Sequence, residues 1–312
     1  MPTPRISRVS IIGAGAVGSS LGRALHDKGY PIVSIVSRSR GAAIALARGV
    51  KCKRASTEIG DLSPETECLL LTVPDGAIRE IGVQLSKLKS LKFGRLFAAH
   101  CSGVHSAEIL EPVRQRGALV ASIHPIQTFP AKRHHTGHGA KLRGIYYGID
   151  GEPGAVKRAE MLVADLGGKA LIIRKELKAL YHVICVFASN YLMVQLNSIE
   201  ELTKILGTSV GWQSVFGPLM TTTIENAVRY TPAGSLTGPI VRGDFSTVDL
   251  HLRALAAYAP QLLPFYISGG IEVARVGKER QRISQDEFDR IVGQFRQFLK
   301  GHSFGNMGKV RR

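Results

Sequence analysis

Cysteine is scarce and unpaired. The 312 residues hold four, Cys52, Cys68, Cys101 and Cys185, with no C-x-x-C and no doublet spacing. That excludes a disulfide-built scaffold and fits the reduced thiols of a cytoplasm. No apolar run approaches the roughly 20 residues that span a bilayer, and no signal peptide opens the chain. A cytoplasmic protein without membrane contact is therefore expected. Acidic residues are also few, 24 against 41 basic ones, for a formal charge of +17. Such a balance invites nucleic acid, but the basic residues are spread along the chain and no nucleic-acid motif accompanies them, which argues against that partner. A phosphate-rich ligand and a small anionic substrate would use part of the charge, and the rest reads as solvated surface. The length allows two domains with substantial cores, and 44% hydrophobic with 21% charged residues is ordinary for a globular protein.

What is present begins at Val9-Ser10-Ile11-Ile12, a short β-branched run followed at once by Gly13-Ala14-Gly15-Ala16-Val17-Gly18. Val17, Leu21, Ala24 and Leu25 then recur at helical spacing until Gly29 and Pro31 end the pattern. Strand, tight turn and helix give three glycines separate jobs. Gly13 permits the turn, Gly15 admits a pyrophosphate to the backbone, and Gly18 lets helix pack on strand. The helix N-terminus at Ala16 and Val17 would carry the anion. The second strand, 31–36, ends in Ser37-Arg38-Ser39-Arg40. An NAD site places Asp or Glu there to hold the ribose 2′-hydroxyl, and none is present. An arginine between hydroxyls suits a 2′-phosphate instead, so NADP(H) is the expected cofactor.

A helix over 42–48 and a short strand near Val50 come next. Residues 68–73 read as a buried parallel strand because they are apolar without alternation. Its carboxyl end delivers Thr72, Val73 and Pro74 to the ligand crevice, and Asp75 reads equally as a helix N-cap. Strand 95–99 runs into His100-Cys101-Ser102-Gly103-Val104-His105, and strand 118–123 into His124-Pro125-Ile126-Gln127-Thr128-Phe129. Ser102 and the N–H groups around Gly103 could hold a carboxylate or ketone oxygen, and His124 and Gln127 face the same side. Residues 131–143 are basic and His-rich. His134 and His138 have i, i+4 spacing, but glycines interrupt any helix and no acid or cysteine is near, so a surface loop is expected and no metal. Strand 145–149, helix 155–166 and strand 169–173 close a first domain, 1–173.

From Lys175 to about Leu206 the pattern is helical and nearly all apolar between Val183 and Leu196, as for the centre of a bundle. One stripe departs from it: Lys178, His182, Cys185 and Ser189 fall at i, i+4, i+7 and i+11, with Asn190 beside them. Further helices are expected over 209–231, 245–257, 261–276 and 285–300, the last with Ser284 as N-cap and Glu287 three residues on. In the loop 236–244, Arg242 could clamp a carboxylate and Asp244 cap the next helix, with Asp249 and His251 beyond. The expected organisation is an α/β, doubly wound Rossmann domain with a mostly parallel sheet (1–173), then an all-α domain (174–300) and a basic tail (301–312).

The ordered set 13–18, 100–103, 124–129, 178–190 and 238–244 with His251 resembles, over nearly the full length, Rossmann-like oxidoreductases carrying a C-terminal helical domain of unknown function. These stand with β-hydroxyacid dehydrogenases, pyrroline-5-carboxylate reductases and ketopantoate reductases. The resemblance implies a homodimer through the helical domain and puts Lys178 where the group has a catalytic lysine. One turn on, the group commonly has asparagine, and this chain has His182. The expected activity is NADPH-dependent reduction of a small carboxylated ketone of the ketopantoate kind, with a cyclic imine as the other substrate class. Lys178 or His182 would give the proton, imidazole titrating closer to neutrality than an ammonium. Ser102 would orient the carbonyl, and Arg242 or His124 would hold the acid, with Ser189 and Asn190 alongside. The reading from a different class is a non-catalytic NADP-binding redox sensor, for which proton-transfer groups would have no use.

Overall fold

The computed structural model describes residues 7–129 and 142–301. The His-rich segment, save Leu142 and Arg143, and the basic tail beyond Gly301 lie outside the described residues, and with them His134 and His138. The chain divides into two compact units, 1–191 and 192–312, so the first extends beyond residue 173 through the helix bearing Lys178.

Eight strands of the first unit form one sheet in the order β3-β2-β1-β4-β5-β6-β7-β8. They are β1 (Val9–Ile12), β2 (Ile32–Val36), β3 (Ala55–Ser56), β4 (Cys68–Leu71), β5 (Phe97–His100), β6 (Leu119–Pro125), β7 (Tyr146–Gly151) and β8 (Lys169–Ile172). All neighbours pair in parallel except β6 and β7, which are antiparallel. The third strand is Ala55–Ser56 rather than a segment near Val50. Val50 instead caps helix α2 (Arg40–Gly49) and is buried.

Strand alternation divides the core into two layers. Ile11, Ile35, Leu70, Ala99 and Ala121 face a cluster shared with α1 (Ala16–Asp27), α2 and the later helix Pro153–Asp165. Ile12, Leu69, Leu71, Ala98 and Val120 face a second cluster, shared with the helix Ile78–Ser86. Buried on both faces, these strands read as continuous apolar runs. The strand order turns around between β1 and β4, and the crevice at that switch point is where the glycine turn lies. In chain order the helices after α2 are α3 (Ile78–Ser86), α4 (Glu111–Arg114), α5 (Pro153–Asp165) and α6 (Lys178–Val186).

The second unit is helical: α7 (Leu192–Ile205), α8 (Trp212–Tyr230), α9 (Pro232–Ser235), α10 (Phe245–Tyr258), α11 (Leu263–Glu279) and α12 (Gln285–Gly301). Its core gathers Val248 and Leu252 of α10, Leu263, Ile267 and Ala274 of α11, and Ile291 and Phe295 of α12. Ser284 caps α12 as its spacing predicts, with Glu287 N–H to Ser284 Oγ and Ser284 N–H to Glu287 Oε2.

The helix from Lys175 to Ile205 corrects one expectation, that of a buried central helix. It is not buried within the chain: Ile184, Phe187 and Met193 are about 60% exposed. Its most apolar window reaches a mean hydropathy of 1.4, long and apolar enough to cross a membrane by length and composition. Its first turns nonetheless carry Lys178 and Tyr181 into the core of the first unit, at 1% and 7% exposure.

Candidate active site

A cleft of about 650 Å³ runs along the carboxyl ends of β1, β2 and β4, lined by Gly13, Ala14 and Gly15, by Ser37, Arg38 and Ser39, and by Thr72, Val73 and Pro74. Gly13 has φ +101°, and a Cβ there would stand 2.5 Å from the carbonyl oxygen of Thr72. At Gly18 a Cβ would fall 2.0 Å from the Gly13 carbonyl oxygen, so the helix packs against the turn through that missing atom. Gly15 is exposed, with nothing within 4 Å of a hypothetical Cβ, and is N-cap of α1 without a side-chain cap. Open space at the N-cap of a helix is what a pyrophosphate needs, and the turn therefore fits a dinucleotide.

The polar residues of this cleft also hold each other. Thr72 Oγ1 donates to the Gly13 carbonyl at 2.6 Å, tying β4 to the glycine turn. Ser37 Oγ accepts the Ala14 N–H at 3.3 Å, and Ser39 Oγ caps α2 by accepting the Ala42 N–H. Arg38 remains exposed at the end of β2. Thr57, just beyond β3, lines the same cleft, and a third strand near Val50 gives it no place there. Asp75 opens a 3-10 turn, Asp75–Ala77, without a side-chain cap bond, so the N-cap reading of this residue fails.

The loops after β5 and β6 form the other polar end. His100 is fully buried and braces its own loop, Nδ1 accepting the Ser102 N–H at 3.2 Å and Nε2 lying 3.0 Å from the Ser106 carbonyl. That pattern requires the Nε2–H tautomer, and burial lowers the ring to a pKa of about 4. Ser102 is buried too, and its Oγ accepts from the N–H groups of Val104 and His105 at 3.3 and 3.2 Å. The hydroxyl thus shapes a turn, and those two N–H groups are engaged by it rather than by an incoming oxyanion.

His124, at the end of β6, meets α6. Its Nδ1 lies 2.7 Å from the Tyr181 hydroxyl, and its ring centroid is 6.0 Å from that of His182. Gly103 makes the convergence feasible, since a Cβ there would stand 2.6 Å from His182 Cδ2 and 3.0 Å from His124 Nε2. Burial lowers His124 to a pKa of about 4, aided by the Lys178 and His182 charges and opposed by Asp75. Gln127 is exposed, its Oε1 accepting the Thr128 N–H at 2.8 Å.

Lys178 does not share that opening. At 1% exposure its Nζ donates to Ser122 Oγ at 2.8 Å and lies 3.5 Å from Asp150 Oδ2. Burial lowers its pKa, with Asp150 acting in the opposite sense. The stripe predicted from even α-helical spacing is also interrupted. Residues Phe187–Tyr191 form a π-helical turn, so Ser189 does not continue the even α-helical spacing of Lys178, His182 and Cys185. Ser189 Oγ donates to the Cys185 carbonyl at 2.8 Å and Asn190 is exposed.

Arg242 and His251 belong to the second unit. Arg242 is the exposed last residue of a 3-10 turn, Ile240–Arg242, whose other two residues are buried, and Asp244 caps α10 by accepting the Thr247 N–H at 3.1 Å. His251 pairs with Tyr266 at 2.9 Å.

A mostly parallel sheet with a switch-point crevice and a glycine turn on a helix N-terminus define a Rossmann-type fold whose cleft fits a dinucleotide. In sequence, residues 1–125 match the Rossmann-like domain and residues 145–271 match a domain of unknown function, DUF2520. The chain therefore carries a Rossmann-like domain followed by DUF2520, as the resemblance in its motifs implied. No curated protein matches it significantly. Among solved structures it is similar to a Bacteroides fragilis protein provisionally named an NADP oxidoreductase, at 21% identity and TM-score 0.73, over 86% of this chain and 98% of that one. Protein TM1727 from Thermotoga maritima is similar at 23% identity and TM-score 0.59, over 94% and 98%. A pyrroline-5-carboxylate reductase from Coxiella burnetii is similar at 12% and 0.53, over 88% and 98%.

Proposed function

We propose that this chain is an NADP(H)-dependent oxidoreductase that reduces a small carboxylated ketone, a 2-keto acid of the ketopantoate kind. The observation that carries the reading is that one unit holds both halves of such a site. A glycine-turn cleft with Arg38 and no acid at the end of β2 adjoins strand ends where His124 and His182 converge over Gly103. NADP oxidoreductase is also how the Bacteroides fragilis relative is described.

Bound NADPH supplies the hydride. The chain's own work is to hold the substrate and deliver a proton to the carbonyl oxygen as negative charge builds there. His182 is assigned the proton, because it stands beside His124 over Gly103 whereas Lys178 is buried against Ser122 and Asp150. His124, held through Tyr181 and neutral near pH 7, is assigned hydrogen bonding to substrate. Ser102 is assigned the shape of the loop rather than a bond to the reacting oxygen.

The homodimer implied by the resemblance is proposed through the apolar surface of α8 in the helical unit. Among the described residues α8 buries none of its own, and Leu219 and Val228 are 65% and 84% exposed. A second copy is the partner whose matching surface supplies the missing cover.

The test is NADPH oxidation against a panel of 2-keto acids and cyclic imines, with the His182→Ala variant alongside. Turnover of a keto acid, falling at least about 100-fold in the variant at unchanged NADPH affinity, is the expected result. Turnover of imines alone would replace the substrate class, and full activity in His182→Ala would remove the proton assignment.

A further inference from the structure

Lys178 has two polar neighbours that reach beyond it. Its Nζ donates to Ser122 Oγ at 2.8 Å. An ammonium only donates, so the Ser122 hydroxyl proton is free to go elsewhere, and Ser122 Oγ lies 3.2 Å from the Ser102 carbonyl oxygen. Asp150 lies on the other side, Oδ2 3.5 Å from the ammonium, while its Oδ1 accepts the Ala107 N–H at 2.8 Å. Ser102 and Ala107 bound the loop whose interior His100 already bridges from the Ser102 N–H to the Ser106 carbonyl. Ser122, Asp150 and Lys178 are each at most 5% exposed.

We propose that Lys178, with Ser122 and Asp150, is a buried polar lock that clamps both ends of the loop 102–107 and sets the place of Gly103 between the two histidines. Lys178 is then a positioning residue and not the proton donor. The lock unites β6, β7, α6 and the loop after β5, with Ser122 and Asp150 opposite each other across the β6–β7 pair. Removing the ammonium leaves the Asp150 carboxylate buried without a counter-charge, and removing the carboxylate leaves the reverse.

The lock also acts on His124 through charge. The groups facing that ring are Lys178, Tyr181 and His182 from α6 and Asp75 from the turn after β4. Lys178 and His182 disfavour a proton on it and Asp75 favours one, with burial the larger influence. Neutralising Lys178 therefore shifts His124 titration upward, and neutralising Asp150, which removes a negative charge near the same ammonium, does not.

The experiment is an NMR titration of the histidine rings in wild type, Lys178→Met, Lys178→Arg and Asp150→Asn, with His124 assigned by the signal lost in His124→Gln. His124 should titrate well below 6.5 in wild type and rise by roughly 0.5–1.5 units in Lys178→Met, the size expected of one charge in a partly buried site. Lys178→Arg should keep it low, and NADPH affinity should stay within about twofold. An unmoved His124 in Lys178→Met would overturn the lock. If that variant does not fold, Asp150→Asn carries the test: His124 at or below its wild-type value supports the lock and a rise overturns it. The positioning role rests on the reductase reading, but the titration does not. A wild type that turns over no substrate sinks that reading and leaves the titration to decide the lock. If turnover is found, a loss of kcat in Lys178→Met that is uniform with pH, at unchanged His124 titration, returns the proton to Lys178.

Discussion

At position 103 a side chain would have to share space with His182 and His124, whose ring atoms stand 2.6 and 3.0 Å from where its Cβ would lie. Gly103→Ala should therefore drive the rings apart. The expected outcome is a fall in kcat of tenfold or more with NADPH affinity retained, because a displacement of about 1 Å at reacting groups costs on that scale. Steady-state kinetics checks it. His100 and His124 make a second prediction at the same scale. Both fold with pKa values near 4 against about 6.5 for a free ring, so the unfolded chain binds the extra protons between those values. Their contribution to stability is present above pH 6.5 and is lost as the pH falls towards 4. Urea midpoints should drop steadily over that window, and His100→Gln should flatten the slope.

At the scale of elements, the glycine turn joins β1, α1 and β4 through contacts that leave no room for a methyl group. Gly18→Ala would set a Cβ 2.0 Å from the Gly13 carbonyl, so loss of nucleotide binding is expected, read by titration with NADPH. Arg38→Ala should weaken NADPH by about tenfold or more while leaving NADH nearly unchanged, since a charged hydrogen-bonded pair is worth roughly 1.5–3 kcal/mol. Most of these elements are legible in the sequence. The continuous apolar runs of β1 and β4 mark buried strands, and Gly13, Gly15 and Gly18 mark the cleft. Thr57 escapes such a reading because β3 is two residues long, too short for any period to show. The π-helical turn at Phe187–Tyr191 has no signature in residue spacing, so Ser189 falls on a stripe that only an evenly wound helix would have. The burial of Lys178 is also hidden, because Ser122 and Asp150 lie 56 and 28 positions away, on two antiparallel strands whose pairing nothing local announces.

At the scale of the molecule, the apolar surface is more than one chain covers. In the helical unit, α8 carries Val215, Leu219, Ile224 and Val228 to solvent. The proposed homodimer accounts for that surface. Light scattering at micromolar concentration should give twice the chain mass. Replacing Leu219 and Val228 together by Glu should give monomers, whereas a monomeric wild type would leave the surface to another partner.

The measurement closest to the central claim is a fluorescence titration of the wild-type protein with NADPH and NADH under identical salt. The account predicts saturable binding of NADPH at least about tenfold tighter than NADH, with the difference abolished in Arg38→Ala. Equal affinity for the two nucleotides would contradict the cofactor assignment at Arg38. No binding of either would contradict the dinucleotide reading of the whole cleft, from Gly13 onward.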